Sequence, residues 1–323
     1  MSADLHKSGA AAALAAQPEG RFDGWRVTLI EHRPDHTRGG RSILRATAPD
    51  GKASVVLKVY DTVGAAETQF NALSNLANHT GRIVKPDFLS TAHNLFAMQD
   101  AGPVTLDHTT AQDAGRTTTR RALQWLDGFC RDTPQQTLPF DMMPHLALAQ
   151  RETEYMPERF QAAAPRVLSN FRQLLTPFHG RSVLHCTSFN DLKPQNLCVD
   201  PETGRITGID YLPGPPQPIA RDAAFLLNWM DQNGWRESLR TGGLLRPRDN
   251  SRRRAIALDT LGAQLDPALL DAFRYGFLIS TWHKFAYFKQ SAHLIRTAEV
   301  HLGLRHRATL LRPFLGRIFP LLR

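Results

Sequence analysis

Three side chains with oxygen donors stand close together in one stretch of the chain. Asp191-Leu192-Lys193-Pro194-Gln195-Asn196 supplies two of them, and Asp210 follows nineteen residues after Asp191. Between them, Leu197-Cys198-Val199 and Ile206-Thr207-Gly208-Ile209 flank a Pro201-Glu202-Thr203-Gly204 turn, the pattern of a β-hairpin. If Val199 pairs near Arg205, Asp210 returns opposite residues 194–196 and lies beside Asn196, with Asp191 on the loop that leads in. Phosphoryl transfer from ATP needs this combination. Mg2+ takes oxygen ligands from a few carboxylates or amides and from the phosphates. The acceptor hydroxyl needs a carboxylate to orient it and take its proton.

A lysine upstream fits the same chemistry. Lys58 interrupts the apolar run Val55-Val56-Leu57-Lys58-Val59, where a charge is costly unless paired. The next helical repeat, Ala66, Phe70, Leu73 and Leu76, carries Glu67 as its only acid. Three β-rich runs (26–30, 42–47 and 54–60) precede that helix, and Ile83-Val84 with 94–98 read as two more strands. A hinge at 99–103 follows, after which the pattern turns helical: 117–130, 146–155 and 164–175. Residues 133–143 are rich in Pro and Gln and read as loop, and Val183–Thr187 reads as the strand that delivers Asp191. Helical runs up to Met230 and over Pro267–Phe288 complete the series. Gly39-Gly40, in a turn-rich segment spanning 33–41, could approach phosphates. No G-x-G-x-x-G is present, and Gly51-Lys52 lacks the remainder of a Walker A.

These features resemble the protein-kinase-like superfamily. The step from Asp210 to Asp222, running into Ala223-Ala224-Phe225-Leu226-Leu227, is similar to its aminoglycoside phosphotransferase and choline kinase branch. The resemblance implies a two-lobed α+β fold, with a small antiparallel N-lobe sheet plus one helix and a larger, mainly helical C-lobe. It places an N-lobe at 24–101 and a C-lobe at 102–323, after a start (1–23) expected to be disordered. It also implies the site. Lys58 anchors the α- and β-phosphates and Glu67 orients it, while Met98 and Asp100 flank the backbone that grips adenine. Asp191 acts on the hydroxyl, Lys193 screens the transferring phosphoryl group, Asn196 and Asp210 hold Mg2+, and Asp222 braces the loop.

Two departures stand out. Phe189-Asn190 replaces the His-Gly usual in the phosphotransferases and the His-Arg of protein kinases, and no glycine follows Asp210. Asp-Leu-Lys-Pro-Gln-Asn looks more like a serine/threonine kinase loop, yet the segment between Asp210 and Asp222 holds four prolines and no room for an activation loop. The expected activity is O-phosphorylation of a small hydroxylated acceptor with ATP and Mg2+. A nucleotide-binding pseudokinase scaffold remains the competing class, and a kinase of proteins or lipid-linked glycans is a further alternative.

Composition bounds the partners. The chain has 323 residues, 21% charged and 42% hydrophobic, and a formal charge of +9. Residues 236–323 carry 16 Lys and Arg against 6 Asp and Glu, a net of +10, so the rest is nearly neutral. Polycationic aminoglycosides need acidic pockets, so the charge points to an acceptor with its own phosphate or carboxylate, or one at an anionic membrane surface. The tail, with Leu310, Leu311, Phe314, Ile318 and Phe319 among Arg307, Arg312 and Arg317, reads as a basic amphipathic segment. Its competing fate is packing on the protein itself. Arg252-Arg253-Arg254 reads as a solvated face. No nucleic-acid partner is expected. Three cysteines without metal spacing, no membrane-length apolar run and a start too polar for a signal peptide suit a cytoplasmic protein.

Overall fold

Strand β2 (Arg41–Thr47) shows how the first sheet is built: Ser42, Leu44 and Ala46 point inward and alternate with half-buried neighbours. The computed structural model describes residues 3–33, 40–109, 116–154, 156, 158–233 and 248–288. The chain divides into two compact units, one formed by Met1–Leu106 with Gln195–Gly214 and the other by Asp107–Pro194 with Pro215–Arg323. The boundary expected at 101/102 therefore moves, and the hairpin after Pro194 joins the first unit.

In the first unit β1 (Arg26–Arg33), β2, β3 (Ser54–Tyr60), β4 (Pro86–Ser90) and β5 (Leu95–Gln99) form an antiparallel sheet in the order β1-β2-β3-β5-β4. Ile83-Val84, read as strand, makes only an isolated bridge from Ile83 to Gly208, and β4 begins three residues later. Helix α2 (Ala65–Ala77) buries Ala66, Leu73 and Leu76.

The start of the chain is a correction. Residues Ala3–Ala15 form helix α1, whose Ala10, Ala13 and Leu14 join the core cluster with Leu44, Leu57 and Leu95. An alanine-rich face offers little hydrophobic signal, but its small side chains let the helix axis come close to the sheet. His6, fully buried, bonds Ser42 Oγ through Nδ1 (2.7 Å) and Asp61 Oδ1 through Nε2 (2.8 Å), and His32 Nδ1 reaches the same Ser42 hydroxyl (2.8 Å).

In the second unit α3 (Arg116–Asp132) buries Ala122, Trp125, Leu126 and Phe129. The segment expected to be loop holds β6 (Gln135–Pro139), an edge strand exposed along its length that pairs with β7 (Ser182–Cys186). Polar and proline residues suit such an edge, so composition concealed the strand. Helices α4 (Met143–Thr153), α5 (Glu158–Gln161) and α6 (Ala164–Leu175) lie between these strands in sequence. After the hairpin β8 (Leu197–Val199) and β9 (Ile206–Gly208) come β10 (Gln217–Pro218), α7 (Ile219–Asn233), α8 (Arg248–Leu261) and α9 (Pro267–Phe288).

The basic triplet also differs from expectation. Arg253 is buried on Asp231 (2.6 Å), which Arg274 also contacts (2.9 Å), and Arg254 pairs with Asp271 at 2.8 Å. Helix α8 packs against α3 and α7, so two of the three arginines are spent inside the unit. The amphipathic tail and most of the 33–41 segment lie outside the described residues. Among the described residues no helix is long and apolar enough to cross a membrane.

Candidate active site

The hairpin forms with Val199 opposite Ile206 and Leu197 opposite Gly208. Its open end is closed by the Ile209 N–H donating to the Asn196 carbonyl (2.8 Å), which brings Asn196 and Asp210 side by side. Asp210 has a φ of 61°, the left-handed region that Asp and Asn tolerate better than most residues. Lys58, buried on β3, donates from Nζ to Asp210 Oδ1 (2.7 Å), and Arg41 Nη2 approaches Oδ2 (3.4 Å). Burial pushes the neighbouring Tyr60 hydroxyl well above its ordinary range, so it stays protonated.

Glu67 does not meet Lys58. It is exposed on α2, and the ion pair of Lys58 goes to Asp210 instead. Met98 is buried in β5 opposite Val56. The Asp100 carboxylate accepts from Arg45 Nε and Ser54 Oγ (both 2.7 Å) and from the Gly102 N–H (2.9 Å). Burial pushes this carboxyl up, but those partners outweigh it and hold it below its ordinary value. Asp100 thus fixes the turn after β5 with its side chain.

A divalent cation fits this corner by donor chemistry. Asp210 offers carboxylate oxygens and the adjacent Asn196 an amide oxygen, the sparse set that leaves Mg2+ positions for phosphates and water. Arg41 is the residue that sequence reasoning missed. It closes the 33–41 segment, but nothing local marks it as a partner of a residue 169 positions away.

In the second unit the site is built from the backbone. Asp222, at the start of α7, is buried and accepts three hydrogen bonds: from Ser188 Oγ (2.7 Å), the Phe189 N–H (2.6 Å) and the Asn190 N–H (3.3 Å). Burial raises its pKa despite these donors and Arg221. Asn190 has a φ of 65°, and the Asp191 N–H closes back onto the Phe189 carbonyl (2.9 Å). This is a three-residue turn of the rare, strained kind. Arg221 Nη1 holds the Asn190 side-chain oxygen at 2.7 Å. Asp191 emerges from this turn with Oδ2 on Lys193 Nζ at 2.6 Å.

Phe189, fully buried, meets Trp125 and Phe129 edge to face, at ring centroids 5.1 and 5.9 Å away. The two unusual residues therefore divide the work. Phe189 anchors the loop in the core, while Asn190 takes the backbone shape that glycine adopts cheaply.

Beside this loop the second unit has an open cleft. Its walls are mainly apolar, with Phe171, Phe273 and Phe277 prominent, and its charged lining residues are Arg221 and Glu152. Gly276 is required there, since a Cβ would come within 2.6 Å of the Phe171 ring. His145 stacks on Phe140 (5.5 Å) and meets Phe273 edge to face (4.9 Å). Burial, assisted by Arg221, pushes its pKa down to about 4, so it is neutral at pH 7.

Solved structures share this architecture. The amicoumacin kinase hAmiN, in complex with AMP-PNP, Ca2+ and Ami, superposes with a TM-score of 0.56 at 15% identity, over 91% of this chain and 90% of that one. The choline kinase LicA from Streptococcus pneumoniae gives 0.56 at 12% identity, over 86% and 94%. The chain has a kinase-like fold. An aminoglycoside-3'-phosphotransferase of type VIII gives 0.53 at 16% identity, over 84% and 98%. No family model matches the sequence, nor does any curated protein. The kinase-like fold is thus carried by shape and by short motifs.

Proposed function

We propose that the chain is an ATP-dependent O-phosphotransferase for a small hydroxylated acceptor. The observation that carries this reading is Asp222. A buried carboxylate is costly, and this one spends its acceptors on shaping the strained turn that presents Asp191. Lys58 anchors the α- and β-phosphates of ATP, with Arg41 as a second cation on the same carboxylate. Asn196 and Asp210 would hold Mg2+, which would neutralise phosphate charge. The AMP-PNP and Ca2+ of the hAmiN complex support a nucleotide with a divalent cation in this fold. Asp191 orients the acceptor hydroxyl and takes its proton as the oxygen bonds to the γ-phosphorus and the bond to ADP breaks. Lys193 screens the charge of the phosphoryl group in transfer.

The acceptor fits as a molecule with an apolar or aromatic body, a hydroxyl and at most one anionic group, which Arg221 receives. A cleft with Glu152 as its one lining carboxylate offers little to a polycation. Arg221 is the cation that lines the cleft, while Arg253 and Arg254 of the basic C-terminal region pair with Asp231 and Asp271.

The test is ATP consumption across hydroxylated aromatic acids, nucleosides, sugars, choline-type alcohols and amino sugars. Turnover is expected with the first two classes. Efficient turnover confined to kanamycin-like polycations would reject the acceptor assignment. The exposed Glu67 favours a second reading, a nucleotide-binding scaffold, which predicts Mg2+-ATP binding without transfer or slow hydrolysis.

A further inference from the structure

All three cysteines are buried thiols. Two of them, 56 residues apart in sequence, meet in the core of the second unit. Cys130 lies near the end of α3 and Cys186 ends β7, with their sulfurs 2.7 Å apart. Cys198 lies in β8, within the first unit.

We infer that Cys130 and Cys186 form a reversible dithiol/disulfide site. Closing the sulfurs from 2.7 Å to a bond of about 2.0 Å needs a shift of well under 1 Å. The oxidant is a small-molecule disulfide such as oxidised glutathione. One cysteine thiolate attacks it and releases a glutathione thiol, leaving a mixed disulfide. The second thiolate then attacks the protein sulfur of that adduct and releases the other glutathione. Two thiols lose two protons and two electrons, and one disulfide becomes two thiols.

The position gives the site a consequence. Cys186 stands two residues before Ser188, which donates to Asp222, so the bond would tie α3 to the strand that feeds the Asp191 turn. The bond to Cys186, then burial, push the Cys130 thiol up. The thiol form is therefore inert to casual oxidation, and exchange proceeds through openings of this core.

Full-length protein equilibrated, or refolded from denaturant, in graded glutathione buffers tests the inference. The expected product is lighter by about 2 Da, from the two hydrogens lost, and joins the peptides of Cys130 and Cys186. Cys198 should stay alkylatable, and Tm should rise by about 5 °C or more and return on reduction. Cys130→Ala and Cys186→Ala each abolish the product, while Cys198→Ala leaves it. Stable glutathione adducts on both residues, a cross-link through Cys198, or no cross-link in the most oxidising buffer would each overturn the inference.

Discussion

The two units hold Asp210 and Asp191 by opposite means. In the first, Asp210 is caught by cations: Lys58 on one oxygen, Arg41 near the other. Charge meets charge there, and under the proposed function a polyphosphate with its metal would compete for both sides of the pair. In the second, Asp191 is set by geometry. A strained turn at Asn190, pinned through its backbone by Asp222 and through its amide oxygen by Arg221, decides where the carboxylate points. The first arrangement is an exchangeable electrostatic contact and the second a rigid mount. Under the proposed function the difference has a use: a nucleotide site must release its ligand and re-form, whereas a proton acceptor gains from fixed placement.

The strongest way to break this comparison is to remove the mounted group alone. Asp191→Asn keeps the turn and the volume but cannot take the proton. Its kcat with the true acceptor should fall by roughly 10^2–10^4, while nucleotide affinity, measured by titration, stays within about threefold of wild type. Near-normal turnover in Asp191→Asn would remove Asp191 from the chemistry.

A smaller effect separates the two supports. Asp222→Asn retains the shape but loses one acceptor and the charge, so kcat should fall about 10–100-fold with little change in nucleotide Kd. Lys58→Met should do the reverse in emphasis, weakening nucleotide binding by about tenfold or more. Glu67→Gln, at an exposed position without an ion pair to Lys58, should leave both within about threefold. A Glu67→Gln defect as large as that of Lys58→Met would mean that Lys58 exchanges Asp210 for Glu67 in the working complex.

A test of stability rather than activity sharpens the contrast in how charge is treated. The apolar cleft excludes it, and His145 is held neutral down to about pH 4. In the unfolded chain this imidazole binds its proton near pH 6.5. The unfolded state therefore binds more protons between those values. Stability is fully present above about pH 6.5 and declines as pH falls towards about 4, by roughly 3 kcal/mol over the whole window. Arg221 and His185 oppose the imidazolium there and Asp141 favours it. Denaturant unfolding of wild type and His145→Phe should show the difference between them changing by this amount across the window. A constant difference would place His145 in contact with solvent.

What the sequence determined by itself was local. The hairpin and the adjacency of Asn196 and Asp210 follow from two apolar runs around a Pro/Gly turn, since strand period and turn length set register over a dozen residues. Lys58 was legible because a charge inside an apolar strand demands a partner, but the choice of partner was not. Glu67 was the one acid on the helix that follows, and Asp210, 152 residues on, took the contact. Helix α1 escaped notice because alanines pack by closeness rather than by hydrophobic bulk. Strand β6 did so because an exposed edge strand owes its form to its neighbour. Arg41 on Asp210, Arg221 on Asn190, Arg253 on Asp231 and Cys130 on Cys186 belong to tertiary structure alone. Each is a pairing between distant segments, and only the folded backbone selects one partner among the many that a linear sequence allows.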